Sequence, residues 1–259
     1  MSEKVAILGC GPAGLAAAQA VVSSGREAVI VSNTDQPSKL YGCQYLHAPV
    51  PGYEHVTRVR VSYRLHGTAR GYRQKVYGYR WAGTVSPEDF VGDHDAWDIR
   101  QTYELLWKNL VAPGNVQFIK RRVIKGSIPF VTSLDPELIV STIPAQALCS
   151  NPNHEFLSHT IWADGSTTAA QGYAPNSVVC DGTPHRPWYR ISNVFGYHTT
   201  EWAEKPPHFV KAVPVVKPLS TDCDCHPEVL RAGRYGAWEK KRLVHEVYPA
   251  VTEVLNARA

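Results

Sequence analysis

Short apolar runs and glycines alternate along the first thirty residues. Residues 5–8 and 28–31 are continuous apolar runs, and residues 12–24 between them are rich in alanine and leucine. Continuous apolar runs bounded by glycine are typical of strands buried on both faces of a parallel sheet. The pattern predicts a strand, a helix that Gly25 ends, and a second strand, which together form a βαβ unit.

The middle of the chain carries one clear helical pattern. Ile99, Tyr103, Leu106 and Leu110 recur at helical spacing after an acidic stretch at 88–98, and Pro113-Gly114 ends the pattern. This spacing predicts a surface helix with one buried face. Residues 116–119, 123–124 and 138–144 are predicted strands, and the last would return the chain to the domain that holds the βαβ unit.

Residues 155–222 show no helical periodicity but many aromatic residues and prolines. The stretches 188–195 and 208–213 are predicted strands of a sheet that covers a substrate. A final helix is predicted through Leu243, Val244 and Val247, and Pro249 is expected to kink or break it.

The turn after the first strand has the glycine spacing of a dinucleotide site. It reads Gly9-Cys10-Gly11-Pro12-Ala13-Gly14. The three glycines in turn permit a tight turn, a close approach of the backbone to a pyrophosphate, and close packing of the helix on the sheet. Free N–H groups at the helix start favour the negative phosphates. A dinucleotide cofactor is therefore expected here.

The second strand departs from the dinucleotide pattern. Ser32 stands where an acidic residue usually holds the ribose hydroxyls, and Asn33 and Asp35 follow it. Serine or asparagine can still hydrogen-bond a ribose, and Asp35 could reach back from the loop. The pattern leaves the adenosine contact open among these residues.

Positive charge is concentrated in one segment of a chain whose formal net charge is +4. No acidic residue lies between Glu54 and Glu88, and tyrosines and Trp81 alternate there with seven cations. The cations are Arg58, Arg60, Arg64, Arg70, Arg73, Lys75 and Arg80. The mixture suits an anionic ligand or nucleic acid, with phosphates on the cations and bases on the rings. The alternative is a strand-rich surface whose guanidiniums pair with carboxylates elsewhere.

Composition places the 259-residue chain among globular proteins, with 44% apolar and 19% charged residues. No apolar run is long enough to span a membrane and no signal peptide is visible, so we expect a soluble, cytoplasmic protein without a membrane partner. Six scattered cysteines suit free thiols in a reducing compartment. Cys223-Asp224-Cys225-His226 lacks a second spaced pair of ligands, so we interpret it as a loop and expect no metal site.

Three segments spread over the chain resemble the superfamily of flavin amine oxidases and UDP-galactopyranose mutase. They are the glycine turn at 9–15, Val140-Ser141-Thr142-Ile143-Pro144, and Gly233-Arg234-Tyr235-Gly236 before the last helix. The chain is shorter than typical members and is similar in size to compact flavoproteins found in bacteriophage genomes. The resemblance implies FAD as the cofactor.

The resemblance also implies roles for particular residues. The turn formed by Gly233, Arg234, Tyr235 and Gly236 would pass under the isoalloxazine ring, and the chain after the second strand would run beside that ring. The cofactor contacts expected in addition to the glycine turn are Ser32, Asn33, Gly42, Cys43, Val123 and Thr142. Trp188-Tyr189-Arg190-Ile191 resembles a mutase strand that brings a tyrosine and an arginine to the active site. The catalytic candidates are His47, Tyr189 and Arg190.

We therefore expect an α/β fold: a Rossmann-like FAD-binding domain with a parallel sheet and an interwoven, reduced β-rich substrate domain. Residues 1–50, 113–150 and 223–259 would form the FAD-binding domain. Residues 51–112 would be a basic, aromatic insertion with one helix, and 151–222 a β-rich covering region.

Three functions follow from these patterns. The first is an FAD-dependent oxidoreductase that takes a hydride from a small or anionic amine or alcohol. The second is a flavoenzyme that acts on nucleic acid or a modified nucleotide through the 58–81 segment, for example by oxidising an amine on a modified base. The third is a mutase-like flavoenzyme that acts on a sugar nucleotide without net redox change.

Overall fold

The computed structural model describes residues 3–164 and 172–258, and its elements are numbered in chain order. The strands are β1 (Lys4–Leu8), β2 (Glu27–Ser32), β3 (Arg58–His66), β4 (Gly92–Trp97), β5 (Gln117–Lys120), β6 (Leu138–Ser141), β7 (Phe156–Asp164), β8 (Ser177–Asp181), β9 (Trp188–Val194), β10 (Tyr197–Trp202), β11 (Ala212–Thr221) and β12 (Val229–Arg231). The helices are α1 (Pro12–Ser23), α2 (Ala69–Tyr77), α3 (Ile99–Leu106), α4 (Ile128–Thr132), α5 (Gly233–Ala237) and α6 (Val247–Asn256).

The first sheet is parallel throughout and has the order β12-β6-β1-β2-β5. Its central strand, β1, is covered on both faces. Val5 and Ile7 pack into a core with α1, α3 and α6, whereas Ala6 and Leu8 pack into a second core with α4. Burial on both faces explains why the strand is continuously apolar. The predicted βαβ unit is confirmed as β1-α1-β2.

The second sheet has seven strands in the order β11-β7-β10-β9-β8-β3-β4. All its described pairs are antiparallel except β3 with β8. Helix α2 lies against it and contributes Tyr72 and Val76 to its core. The predicted α/β fold class, with a β-rich region interwoven with a parallel sheet, is confirmed.

The segment 51–112 differs from the expected insertion with one helix. It contains two helices, α2 and α3, and two paired strands, β3 and β4. The acidic stretch that was expected to lead into a helix includes β4, where Asp95 pairs with Arg60 across the strands. Strand β3 alternates charged and apolar residues, as expected of a strand with one exposed face, and this agrees with the strand-rich alternative for the segment.

One short predicted strand, at 123–124, is wrong, and the strand predicted over 208–213 begins only at residue 212. Residues 123–124 lie in a turn in which the Ile124 N–H donates to Ser127 Oγ at 3.0 Å, and Gly126 follows with φ +83°. Residues 208–211 also lie outside a strand, because Val210 N–H closes a turn onto Pro207 and β11 begins only at residue 212. Local turn bonds satisfy the backbone at both places, so sheet pairing is not needed.

The last helix begins later than predicted. Helix α6 starts at Val247, so Pro249 falls in its first turn rather than in its interior. A proline is tolerated there because the N–H that it lacks has no acceptor within the helix. No helix in residues 3–164 and 172–258 is both long and apolar enough to cross a membrane.

Candidate functional site

The glycine turn between β1 and α1 is shaped by close backbone contacts. Gly9 has φ +101°, a conformation that favours glycine. A Cβ on Gly14 would lie 2.0 Å from the Gly9 carbonyl oxygen, so only glycine lets α1 pack this closely. A Cβ on Gly11, by contrast, would have no protein atom within 4 Å. Gly11 therefore has no packing reason to be glycine, which fits a backbone that a ligand approaches.

The turn at the start of α5 meets the glycine turn. Gly233 has φ +71°, and a Cβ there would lie 3.0 Å from the Ala13 Cβ at the start of α1. A Cβ on Gly236 would lie 2.1 Å from the Ser141 carbonyl oxygen at the end of β6. Thr142, the residue after β6, donates its hydroxyl to the Leu8 carbonyl at 2.9 Å. The three predicted segments thus converge at the carboxyl ends of parallel strands, where α/β folds bind ligands.

Tyr103 of α3 fixes the glycine turn from the side. Its hydroxyl donates to the Cys10 carbonyl at 2.9 Å and accepts from the Ser38 N–H at 3.2 Å. It thereby joins the turn to the loop that follows β2. The sequence predicted only that Tyr103 lies on the buried face of a helix, and no local motif indicates the second role.

Ser32 is buried, and its hydroxyl lies 3.1 Å from Cys10 Sγ. It also accepts from the Thr34 N–H at 3.4 Å, so it is already engaged in holding the glycine turn to the end of β2. Asn33 beside it is exposed. Asp35 pairs with Lys120 at 2.8 Å, and that hydrogen bond lowers the pKa of its carboxyl group. Asn33 is thus exposed and Asp35 is engaged by Lys120, and the adenosine contact stays a prediction.

Val123 lies beyond β5 and packs, partly buried, against the core formed by α4 and the neighbouring face of the sheet. It is near the edge of the parallel sheet rather than at the converging turns. Its role as a cofactor contact stays a prediction.

A buried carboxylate lies behind the loop that follows β2. Glu201 of β10 is only 2% exposed, and Arg190 Nε of β9 donates to it at 2.5 Å. Lys217 Nζ of β11 lies 3.9 Å from the same carboxylate. Gly42 has φ +78°, and a Cβ on it would lie 2.4 Å from Glu201 Oε1, so the loop backbone touches the carboxylate directly.

Arg234 adds a third cation to this region, since after burial and Arg190 it also contributes to lowering the pKa of Lys217. We call Arg190, Glu201, Lys217 and Arg234 the charge cluster. Burial lowers the pKa of Lys217 to about 8 although Glu201 opposes the shift. Burial likewise lowers the pKa of Arg234, whose Nε is buried without a hydrogen-bond partner among the described residues. Three cations against one carboxylate leave a buried excess of positive charge.

A β-bulge in β9 falls at Tyr189, next to Arg190, and these are two of the predicted catalytic residues. Arg190 pairs with Glu201 and Trp188 pairs with Trp202, so Tyr189 is an extra residue between the pairs. Bulges re-aim side chains and are common beside active sites. Arg190 thus joins the charge cluster, whereas Tyr189 is fully buried and packs edge to face on Tyr72.

Cys43 and His47 lie on opposite sides of the loop after β2. Burial raises the pKa of the Cys43 thiol, and Arg190 of the charge cluster opposes that shift. His47 is exposed, and its ring centroid is 5.5 Å from that of His245 just before α6. Partial desolvation and then the nearby His245 lower the pKa of His47. Cys43 therefore faces the charge cluster, and His47 lies at its rim.

The cations of β3 are partly neutralised by β4. Arg58 and Arg60 lie 2.8 Å and 3.6 Å from Asp95, whose pKa they lower. Arg64 and Arg70 are exposed. Pairing across the strands agrees with the alternative in which the guanidiniums meet carboxylates from elsewhere in the chain.

The cations of α2 and the turn after it also have structural partners. Lys75 donates to the Asp181 carbonyl at 3.1 Å, and Arg73 donates to two backbone carbonyls of the following turn. Arg80 lies 2.6 Å from Glu155 at an exposed site. Most of the predicted basic patch thus contributes to the fold, and nucleic-acid binding through it stays a prediction.

A cleft of about 360 Å³ opens beside the converging turns. It is lined by the loop at 37–42, by Arg100 and Tyr103 of α3, and by Tyr197 of β10. Arg100 stacks on the Tyr197 ring at 4.2 Å and donates to the Gly42 carbonyl at 3.2 Å. The cleft thus borders both the loop that contacts Glu201 and the tyrosine that holds the glycine turn.

No protein-family model matches the sequence, and no curated protein matches it. Solved structures do match the fold over the whole chain. A p-nitrophenol 4-monooxygenase from Pseudomonas putida DLL-E4 matches with a TM-score of 0.58 at 13% identity, over 100% of this chain and 81% of that one. A 2,6-dihydroxypyridine-3-hydroxylase from Arthrobacter nicotinovorans matches with a TM-score of 0.57 at 11% identity, over 100% and 85%.

A third structure, a probable FAD-dependent monooxygenase from Pseudomonas aeruginosa, matches with a TM-score of 0.55 at 10% identity, over 100% of this chain and 88% of that one. None of the three is an amine oxidase or a mutase by name, so the resemblance to that superfamily stays a prediction. What these likenesses show is the fold alone: a Rossmann-like parallel sheet interwoven with a second, mixed β-sheet, as in these three proteins.

Proposed function

We propose that this chain is an FAD-dependent oxidoreductase that acts on a small anionic substrate. One observation carries the proposal: the glycine turn and the α5 turn meet at the carboxyl ends of β1 and β6, beside a buried, net positive charge cluster. The flavoprotein fold supports the same cofactor. FAD, when bound, supplies the acceptor for a hydride. The protein itself has to bind and orient the substrate and to exclude water from the site.

The residues present fit such a cofactor at two points. Gly11 has an open side, and α1 begins with free N–H groups. Both suit a pyrophosphate, because the N–H groups can stabilise its negative charge without a cationic side chain. The Nε of Arg234 is buried and has no hydrogen-bond partner within residues 3–164 and 172–258, so it suits an electron-rich acceptor from the flavin or the substrate. A cation at this position favours extra negative charge on the flavin.

The charge cluster suits the substrate better than the cofactor backbone. Arg190 is held rigidly by its hydrogen bond to Glu201. Lys217 shares that carboxylate at the longer distance of 3.9 Å, so the charges of Lys217 and Arg234 are balanced less fully than that of Arg190. A carboxylate or phenolate substrate would offset the excess charge. Since the pKa of Lys217 is about 8, it is also the cluster member able to exchange a proton near neutral pH.

The reaction class has two candidates. Hydride transfer from an amine or alcohol carbon is the first, and it follows from the sequence resemblance. Hydroxylation with molecular oxygen is the second, and the likeness to two monooxygenases and one hydroxylase favours it. If substrate alone bleaches the flavin absorbance band under anaerobic conditions, the result would support hydride transfer. If only an added reduced nicotinamide bleaches the band, and oxygen is then incorporated into the substrate, the result would support hydroxylation.

A pair of glycine variants tests cofactor binding without an activity assay. Gly11→Ala adds a methyl group that no protein atom meets, and Gly11 has φ −69°, which alanine adopts freely. We expect unchanged stability of the apoprotein and FAD affinity at least tenfold weaker, which is about 1.4 kcal/mol. The affinity is measured by quenching of flavin fluorescence.

Gly14→Ala is the matched control, since it places the same methyl group 2.0 Å from a backbone oxygen. We expect it to lower the unfolding midpoint of the apoprotein as well as FAD binding. A Gly11→Ala variant that binds FAD as tightly as the unmodified chain would contradict the proposed position of the pyrophosphate. A purified chain that takes up no FAD would contradict the function itself.

A further inference from the structure

Four metal-binding side chains meet away from the converging glycine turns. Cys149 and His154 lie in the connection from β6 to β7, and Cys223 and Cys225 lie in the connection from β11 to β12. The two connections run side by side because the first residue of β7 pairs with the last residue of β11. One ligand atom from each of the four side chains lies within 4.8 Å of all the others.

The distances between these atoms are those of a tetrahedral site. Cys149 Sγ lies 3.9 Å from Cys225 Sγ, and His154 Nδ1 lies 3.4 Å and 3.6 Å from those two sulfurs. Zinc bonds of about 2.3 Å to sulfur and about 2.0–2.1 Å to nitrogen give tetrahedral edges of about 3.8 Å between sulfurs and about 3.6 Å from sulfur to nitrogen. Three of the four ligand atoms are therefore already at tetrahedral spacing, and Cys223 Sγ lies within 4.8 Å of each of them.

The surrounding groups are those that stabilise a zinc–thiolate site. Asp224 Oδ1 lies 3.4 Å from His154 Nε2, where a carboxylate would orient the ring of a metal-bound histidine. Arg231 donates to the Cys223 carbonyl at 2.9 Å and to Cys223 Sγ at 3.3 Å. One divalent ion and three thiolates together carry a net charge of about −1. The positive charge of Arg231 offsets it.

A disulfide accounts for the arrangement less well. The Cys149 and Cys225 sulfurs are 3.9 Å apart, whereas a disulfide bond is about 2.05 Å long and leaves the histidine without a role. His226, the adjacent histidine in the sequence, turns away to Glu228 at 3.0 Å and is not part of the cluster. The motif at 223–226 led us to expect no metal site, because the other two ligands, Cys149 and His154, lie about seventy residues earlier in the chain.

We propose that Cys149, His154, Cys223 and Cys225 bind one structural Zn²⁺ that joins the two connections between the sheets. Three cysteines and one histidine fill a tetrahedral shell completely, so no position stays open for catalysis. Soft thiolate ligands favour zinc over magnesium or calcium. Binding releases the three thiol protons to solvent, and no electron is transferred.

The first test is the metal content of the full-length chain, purified without a metal-affinity step. We expect one equivalent of zinc per chain by plasma mass spectrometry. Cys225→Ser and His154→Asn should each lose that equivalent, and the matched control His226→Gln should keep it. Loss of zinc from His226→Gln, or no zinc in the unmodified chain, would overturn the proposal, and iron or copper in its place would overturn the assignment to zinc.

The second test uses only the unmodified chain, so its outcome does not depend on whether any variant folds. The unmodified chain is stripped with a chelator and titrated with Co²⁺, which in a tetrahedral thiolate site gives visible d–d bands and a sulfur charge-transfer band. We expect both to saturate at one equivalent and to disappear when Zn²⁺ is added. Absent bands, or an intact mass lower by two hydrogens that shows a disulfide, would refute the site.

Discussion

Replacing Glu201 with glutamine is expected to destabilise the fold strongly. The carboxylate is 2% exposed, accepts from Arg190 at 2.5 Å and lies 3.9 Å from Lys217. Glutamine keeps the shape of the side chain but removes its charge. Two buried cations are then left beside a neutral amide, which cannot offset the cost of their desolvation.

The size of the effect can be worked from these distances. At 3.9 Å and an effective dielectric constant of about 20, the attraction between Glu201 and Lys217 is about 4 kcal/mol, and Arg190 is closer still. The amide oxygen can still accept one hydrogen bond from Arg190, which recovers part of the loss. Breaking a buried ion pair by removing one partner costs about 3–5 kcal/mol, and we expect the free energy of unfolding to fall by that amount.

The assay is equilibrium unfolding of the apoprotein in urea at neutral pH. Glu155→Gln is the matched control, since it breaks an exposed pair with Arg80 and should leave the unfolding midpoint unchanged within error. Adding Lys217→Met to Glu201→Gln should recover about 1–2 kcal/mol, because one unpaired cation is removed. A Glu201→Gln chain as stable as the Glu155→Gln chain would refute the view that the carboxylate balances buried charge.

Two further predictions follow from charges in the structure. The pKa of Lys217 is lowered from 10.5 to about 8. Between those values the unfolded chain binds the proton that the folded chain has lost, so this group makes stability rise with pH, by up to about 1.4 kcal/mol per pH unit. Urea unfolding at pH 8, 9 and 10 should show a steeper rise for the unmodified chain than for Lys217→Met, and parallel curves would contradict it. If the 58–81 segment binds nucleic acid, replacing exposed Arg64 and Arg70 with glutamine should reduce the salt slope of single-strand binding by about 2, measured by fluorescence anisotropy. No binding at low salt would remove that function.

The features predicted from sequence are those encoded over short stretches. The strand-helix-strand order and the role of Gly14 depend on contacts between nearby residues: Gly14 packs on the Gly9 carbonyl, and β1 pairs with β2 from Lys4 opposite Glu27 onward. The turn at 233–236 was predicted only through the resemblance to a known superfamily, because its partner, the Ser141 carbonyl, is far away in the chain. The strand predicted at 123–124 was also inferred from local sequence, and it was wrong. There the Ser127 hydroxyl accepts the hydrogen bond of the Ile124 N–H, so the backbone does not need a partner strand.

The features that the sequence did not predict depend on register between distant strands. Glu201 and Lys217 lie in strands as single charges without a motif, and only the pairing of β10 and β11 with β7 brings them together. The bulge at Tyr189 likewise appears only once β9 and β10 are aligned. A buried charge in a strand has no sequence signal of its own, because its partner is chosen by topology.

The two proposed sites are connected through one stretch of chain. Lys217 lies in the middle of β11, Arg234 lies in α5, and Cys223 and Cys225 lie between them in the sequence. The positive charges of Lys217 and Arg234 repel each other, and the chain that joins these two residues runs through the connection from β11 to β12. A zinc ion would fix it where the chain leaves the mixed sheet for the parallel one. The two proposals nevertheless fail separately, because FAD uptake depends on the glycine turn and zinc content on the thiols.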